Sequence, residues 1–533
     1  MSVTPAWKLY ISNSNPASNF IDITPDVRIA NTVRAKYGIW GNDFTDRVAD
    51  TGEISFTLNN SADNSVGSAG YYTPGHTNAM INFGPGLAVR LDYIYNGGTA
   101  VRFLGYIPPD GIRVTTGTNG RRSTHVTALD WMEQAAITDV GQLAYQGSIG
   151  LDDIVGTVAY YGVNRPPWSG TALSTGISEF NTVHDGSNSR TKAMTLFHRA
   201  ALSEMGYVYI QHGTVGWEML RAENRQDRNE VLYANAPVAT LSNVFLEETA
   251  ESSRKYNYVT VKVYPFSTDS SNQVLFGLES PIKINNAQRE VIIGRFTDPN
   301  NSAVGVTCID AVTPVGTTDY AAFVNNDGSG ANLTSGLTVT TEIGAYSTKY
   351  IITNNSGQDG YITTLQQRGK AVYTYDPVTA TVGDIADELP DSPNTIGTAD
   401  FMNMNTIGAY ELFLDMKYHS NLEEAVGIAK NIMTKIVNAP PVDLNTISFY
   451  ANRDATLMQA VMDTDIGSHI RVTEDQSGIS AKDYFINGIE YRISAANIIL
   501  VRWLLAPGSY TTVYWRLGVA GRSELSTTAF LAV

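Results

Sequence analysis

Short alternations of apolar and polar residues, each cut off by a cluster of Gly, Asn, Asp or Pro, recur through most of this chain. Ile54-Ser55-Phe56-Thr57-Leu58 runs into Asn59-Asn60-Ser61. Leu87 to Tyr95 and Ala100 to Ile107 flank Asn96-Gly97-Gly98-Thr99, and Pro108-Pro109-Asp110-Gly111 follows. A period of two marks a strand with one buried face, and the intervening residues supply turn chemistry. The repetition constrains the chain to a mainly β, multidomain fold. With 533 residues it has length for several domains.

Composition agrees. Hydrophobic residues make up 43% of the chain and charged residues 17%, with 29 Tyr and 46 Gly. Aromatic and β-branched side chains suit a pleated surface, and this much apolar content excludes a disordered chain. The 36 basic and 52 acidic residues give a net charge of −16. Basic residues cluster only as pairs, Arg121-Arg122 and Arg254-Lys255, so a phosphate-neutralising stripe for nucleic acid is not expected. Cys308 is the single cysteine, which excludes an intrachain disulfide framework and a multi-cysteine zinc site. No cleaved leader is visible at Met1 to Trp7. The most apolar stretch, Ile498 to Ala506, is broken by Arg502, so no stable membrane insertion is expected.

The pattern divides the chain. Residues 1–135 read as a first β-barrel-type domain, ending in a short helix that Asp130 caps. Residues 136–255 read as an α/β domain: a helix from Leu151 to Tyr161, a helix over 190–205 that Gly206 stops, then a hairpin from Tyr207. Residues 256–380 comprise a strong strand, Tyr258 to Tyr264, and an inserted β-sandwich over about 280–376. Its turn signals are Asp298-Pro299-Asn300-Asn301, Asn325 to Gly330 and Asn354-Asn355-Ser356-Gly357. Residues 381–440 are mixed, with a helix from Leu422 to Ile436 ended by Pro440-Pro441. Residues 441–508 read as a second barrel and 509–533 as an arm. Phe103-Leu104-Gly105-Tyr106-Ile107 echoes Phe485-Ile486-Asn487-Gly488-Ile489, and the two are expected on equivalent strands of the two barrels.

Motifs that carry chemistry are few. Gly84-Pro85-Gly86 and Gly328-Ser329-Gly330 open a G-x-G, but Val89 and Leu333 stand where the third Gly belongs, so both read as turns. Asn325-Asn326-Asp327-Gly328 lacks the first Asp of a calcium loop, having Phe323 there. The histidines, His76, His125, His184, His198, His212, His419 and His469, are dispersed and form no H-E-x-x-H. Asp50-Thr51-Gly52 has the aspartic-protease triplet without a second copy to share a proton, and reads as a turn into a strand. No catalytic, cofactor-binding or metal-binding residue is assigned, no cofactor is expected, and the chain is expected to catalyse nothing.

The order of several segments resembles the hub, or minor tail, proteins at the tail tip of tailed bacteriophages. Ile21 to Val27, Gly52 to Asn60 and Phe103 to Ile107 resemble their first barrel. Ala201 to Gly206 followed by Tyr207 to Ile210 resembles their α/β element. Asp319-Tyr320, Asp327 to Gly330 and Leu365 to Val372 resemble their β-insert; Gly467 to Val472, Tyr484 to Ile493 and Leu504 to Pro507 resemble their closing barrel. The resemblance spans nearly the whole chain and ends without a lysozyme, peptidase or fibre module, as in a bare hub. It implies a structural virion protein, synthesised in the host cytoplasm. It implies a homotrimeric ring at the tail tip that contacts the tail tube or distal tail protein, the tape measure protein and tip or fibre proteins. Viral DNA would pass through it without specific binding. Two readings from other classes stand beside it: a receptor-binding adhesin whose aromatic surfaces grip host glycans, and a glycan-degrading tail enzyme built on two carboxylates.

Overall fold

The computed structural model describes residues 6–14, 19–41, 43–116, 122–140, 147, 149–163, 170–176, 178, 180, 191–212, 218–223, 237–243, 245–252, 255–383, 408–438 and 442–508. Eight strands come first: β1 (Ala6–Ser12), β2 (Phe20–Asp22), β3 (Val33–Gly38), β4 (Asp50–Asn59), β5 (Ala88–Tyr95), β6 (Gly98–Tyr106), β7 (Ile112–Thr115) and β8 (Ser123–Leu129). The alternation is clear in β4, where Ile54, Phe56 and Leu58 are buried while Glu53 faces out; in β6 the residues from Ala100 to Gly105 are all buried. The paired glycines of the β5–β6 turn, Gly97 and Gly98, are the residues expected to supply its positive φ; the turn instead uses Asn96 (φ 49°) and Gly97 (φ 77°). Asp50-Thr51-Gly52 is not a turn but the first three residues of β4.

The helical part follows. At α1 (Met132–Ile137) the N-cap position falls on Trp131, and Asp130, one residue before it, accepts from the Met132 amide at 3.0 Å. Next come α2 (Leu151–Thr157), which continues as a π turn to Gly162, and α3 (Ala193–Glu204). Antiparallel strands β9 (Tyr207–Gln211) and β10 (Met219–Glu223) complete the hairpin. The helix stop differs from expectation. Met205, not Gly206, adopts the left-handed conformation (φ 57°). Gly206 makes room for packing instead: a Cβ there would sit 2.4 Å from Leu151 Cδ2 and 3.2 Å from Glu223 O, so the Leu151 side chain would have to shift.

The chain then gives β11 (Ala239–Ser242), β12 (Glu247–Ser252) and β13 (Tyr258–Val263) before the β-rich insertion. In the insertion, β14 (Arg289–Arg295), β15 (Leu337–Ile343) and β16 (Ser347–Asn354) form one sheet in the order β14-β16-β15. The facing sheet is built on the 15-residue β17 (Gly360–Thr374). Phe266–Thr268, Gln273–Gly277 and Ile282–Ile284 line one of its edges; Thr307–Ile309 and Tyr320–Phe323 line the other. Ile284, Ala322, Ile362 and Leu365 of this sheet share a core with Leu337, Tyr350 and Ile352 of the first. The Arg368 fork grips Asp319 at 2.6 and 2.9 Å, joining two of the segments on which the sequence resemblance rests.

After the insertion, β18 (Val378–Gly383) and β19 (Glu411–Asp415) flank β13 in the order β18-β13-β19. Helix α4 (Leu422–Asn438) lays Ala425, Ala429, Ile432, Met433 and Ile436 on Val259, Val261, Val382, Leu412 and Leu414. The final elements are β20 (Val442–Tyr450), α5 (Ala455–Asp463), β21 (His469–Glu474), β22 (Ile479–Ser494) and β23 (Ile498–Pro507). Pro440-Pro441 and the expected arm 509–533 lie outside the described residues.

The fold is mainly β, spread over several sheets, each of them open. The largest has 14 strands in the order β12-β20-β23-β22-β3-β4-β8-β6-β5-β1-β2, with β21 joining β22 to β11 and β7 joining β8. The first and last described strands, β1 and β23, are therefore parts of one sheet. One hydrophobic core runs from Trp7 through the α/β part to Leu505. The two echoed segments lie on β6, with Ile107 just past its end, and on β22, each the second strand of an antiparallel hairpin: Phe103 pairs with Leu91 and Phe485 with His469.

Candidate functional site

The place where the fold concentrates its polar chemistry is the seam between β3 and β22. Six residue pairs run antiparallel from Val33↔Ile493 to Gly38↔Gly488, and the Ile39 amide extends the ladder to Asn487 O at 2.8 Å. Gly38 (φ +100°) admits no side chain, because a Cβ would lie 2.4 Å from Asn487 O. The seam thus closes at the end where both partners are glycine.

Behind it lies a buried cluster drawn from three distant parts of the sequence. Arg102 on β6 is fully buried and donates to Thr464 O (2.6 Å) and Met462 O (2.8 Å), at the end of α5. Asp465, one residue further on, accepts from Tyr37 Oη of β3 (3.0 Å), the amide of His212 after β9 (2.7 Å) and the Ile466 amide (2.8 Å). The Tyr37 and His212 rings meet edge-on at 4.7 Å, and Tyr93 meets Tyr491 at 5.2 Å. Burial pushes Asp465 up to about 6, with the Arg102 charge and three hydrogen bonds opposing it; burial likewise raises the Tyr37 hydroxyl. Tyr37, Arg102, His212 and Asp465 are each no more than 2% exposed. A substrate would reach them only by prying the sheet apart, so the arrangement serves as a joint. It holds β3, β6, the segment after α5 and the α/β part in one register.

Other buried carboxylates also tie backbone. Glu218 accepts from the Trp131 amide at 2.8 Å and Glu204 from the Leu151 amide at 3.0 Å. Asp26 accepts from the Ser65 amide (2.6 Å) and Tyr72 Oη (2.6 Å), pinning the long loop after β4.

The sequence candidates stay dispersed. Gly84-Pro85-Gly86 is a turn, and so is Gly328-Ser329-Gly330, where Asp327 accepts from the Ser329 amide at 2.9 Å. His76 is in a loop and His125 on β8. Burial lowers the pKa of His198, on α3, and of His419, whose Nε2 lies 2.6 Å from Ser203 O. His469 faces Asp483 at 3.2 Å; His184 lies outside the described residues. Among the described residues no three His, Cys, Asp or Glu side chains gather to hold a metal ion, and no helix is long and apolar enough to cross a membrane. An open groove of about 540 Å³ lies between the β5–β6 turn, β11 and α5, lined by Tyr95, Asn96, Thr240, Gln459 and Asp463.

Sequence reasoning missed Arg102 and Asp465. One signal was available: Arg102 interrupts the apolar run Ala100 to Leu104, a position where a strand facing two packed layers holds a charge only if it is paired.

No protein-family model matches this chain, and no curated protein matches it in sequence. Solved structures do. It is similar to a 43 kDa tail protein of a Shewanella oneidensis prophage, with 10% identity, a TM-score of 0.45, and coverage of 94% of this chain and 99% of that one. It is also similar to a tail protein from Neisseria meningitidis (9%, TM-score 0.42, 94% and 96%) and to a prophage tail protein from Listeria monocytogenes (9%, TM-score 0.38, 93% and 94%).

Proposed function

We propose that this chain is a structural protein of a phage tail, and within the tail the hub at its tip. The observation that carries the reading is the fused sheet. The first and last parts of the chain, whose segments resemble the opening and closing barrels of hub proteins, lie side by side across the β3–β22 seam. A protomer so built offers two barrel-type halves. Three protomers in a closed ring would present six such halves to a six-fold tube and leave no sheet edge for open-ended association. In this reading the ring joins the tail tube or distal tail protein to the tip or fibre proteins, meets the tape measure protein, and surrounds the passage for DNA. The surplus of 16 negative charges discourages DNA from adhering. The chain takes no cofactor or metal and performs no catalysis.

Native mass spectrometry of the purified chain tests the ring, and immunogold labelling of virions tests its place. Trimers and label at the tail tip are expected. A monomer at all concentrations, or label along the tube or on the head, would refute the hub. Release of peptidoglycan or capsule fragments by the pure protein, abolished by one carboxylate substitution that leaves the fold intact, would refute the absence of catalysis.

A further inference from the structure

The outward face of the seam carries a concentration of positive charge in an otherwise acidic chain. The strand register sets it out in two rows. One row reads Glu53, Lys36, Glu490, Arg502, Ser448 across β4, β3, β22, β23 and β20; the next reads Ser55, Arg34, Arg492, Leu500, Tyr450. Arg34 and Arg492 thus stand directly opposite each other. Like charges in that position repel, and the carboxylate of Glu490 relieves them, accepting the Nε–H of each at 2.6 Å. Glu490 is nearly covered (3% side-chain exposure), whereas Arg34 and Arg492 are 49% and 45% exposed.

Because Glu490 takes only the two Nε–H groups, the terminal Nη edges of both guanidiniums point no hydrogen bond at any described residue. Lys36 lies over the Trp40 ring at 4.1 Å. Arg502 is exposed and has no ion pair among the described residues. Four cations therefore surround Glu490 and Glu53, and Tyr450 (40% exposed) with Leu500 edges the patch.

We propose that this face docks an acidic polypeptide segment of a partner protein, with Arg34 and Arg492 as paired anchors for its Asp or Glu carboxylates. Two adjacent forks with free Nη edges match planar carboxylates. Extent and net charge exclude a polynucleotide as the occupant. Three strands at about 4.8 Å spacing span about 10 Å, room for two or three carboxylates, whereas duplex or single-strand binding uses a long basic track. A chain of net charge −16 also repels a long polyanion more than a short acidic segment.

The test uses the full chain at low salt with fluorescein-labelled hexaglutamate, a Gly-Ser peptide of equal length and oligothymidylate as probes. Saturable, salt-sensitive binding of hexaglutamate alone is expected, weakened about tenfold by R34Q/R492Q and about threefold by R502Q. Arg502 has no ion pair to lose among the described residues, so R502Q is expected to keep its melting curve and decides the matter if the double variant unfolds. Unchanged hexaglutamate binding by R502Q would overturn the proposal. So would tighter binding of oligothymidylate, or self-association of the wild-type chain that R502Q abolishes.

Discussion

Replacing Arg102 with Met tests whether the buried cluster is the joint of the large sheet. Met fills much of the same volume, so the cavity term is small, and the loss is electrostatic. Thr464 O and Met462 O lose their donors, and Asp465 loses the cation that opposes its desolvation. Removing one partner of a buried charged pair costs about 3–5 kcal/mol. The cost depends on pH with a definite sign. In the wild type Asp465 ionises near 6; without Arg102 its pKa rises further. At pH 8 the variant must keep an uncompensated carboxylate or protonate it against the solution, and at pH 5 the carboxyl is already neutral. Destabilisation should therefore be full at pH 8 and shrink by about 1–3 kcal/mol at pH 5. Adding Asp465→Asn should restore part of the loss, with a coupling of about 1 kcal/mol or more. Urea unfolding followed by tryptophan fluorescence is the assay. The seven Trp residues (7, 40, 131, 168, 217, 503 and 515) all lie outside the insertion, and Trp131 and Trp503 are buried in the common core. A cost below about 1 kcal/mol at pH 8, or strict additivity in the double variant, would show that the cluster does not hold the sheet together.

Three further outcomes follow from the same geometry. Gly206→Ala should destabilise the body by about 1–3 kcal/mol, because its Cβ meets Leu151 at 2.4 Å while the left-handed residue is Met205; an unchanged urea midpoint would refute this. Replacing residues 264–377 by Asn-Gly should leave the fluorescence transition in place, since Val263 and Val378 are already paired neighbours that a two-residue turn connects. Loss of that transition would make the insertion part of the central core. Burial pushes Asp130 from 3.8 up to about 7, so the folded state binds the extra proton and stability is lost as pH rises through that window. Between pH 6 and 7 Asp130→Asn should escape about 1 kcal/mol of the loss that wild type suffers; parallel pH profiles of the two proteins would contradict it.

The local elements were legible in the sequence because their information is local. The alternation around Ile54 to Leu58, the stripe Ala193 to Ala201, the helix start after Asp130 and the turn at Asn354 to Gly357 depend on neighbours within one or two turns of chain. The errors arose where local chemistry admits two uses of one residue. Gly206 can stop a helix or admit a packed neighbour, Asn96 and Gly98 compete for one left-handed position, and Asp50-Thr51-Gly52 suits a turn or a strand start. Only contact with Leu151, the hairpin's twist and the pairing of β4 decide among them.

The sequence by itself determined that the chain is mainly β and where most strands and helices run. Tertiary structure decided the rest. That β3 pairs with β22, more than 400 residues away, and that Arg102, Asp465, Tyr37 and His212 converge behind the pair, is written in no local pattern. A strand's period fixes which side chains face the core but not which strand lies alongside. Partner choice is settled collectively, by the burial of one shared core and by the few buried charges that tolerate only a single arrangement.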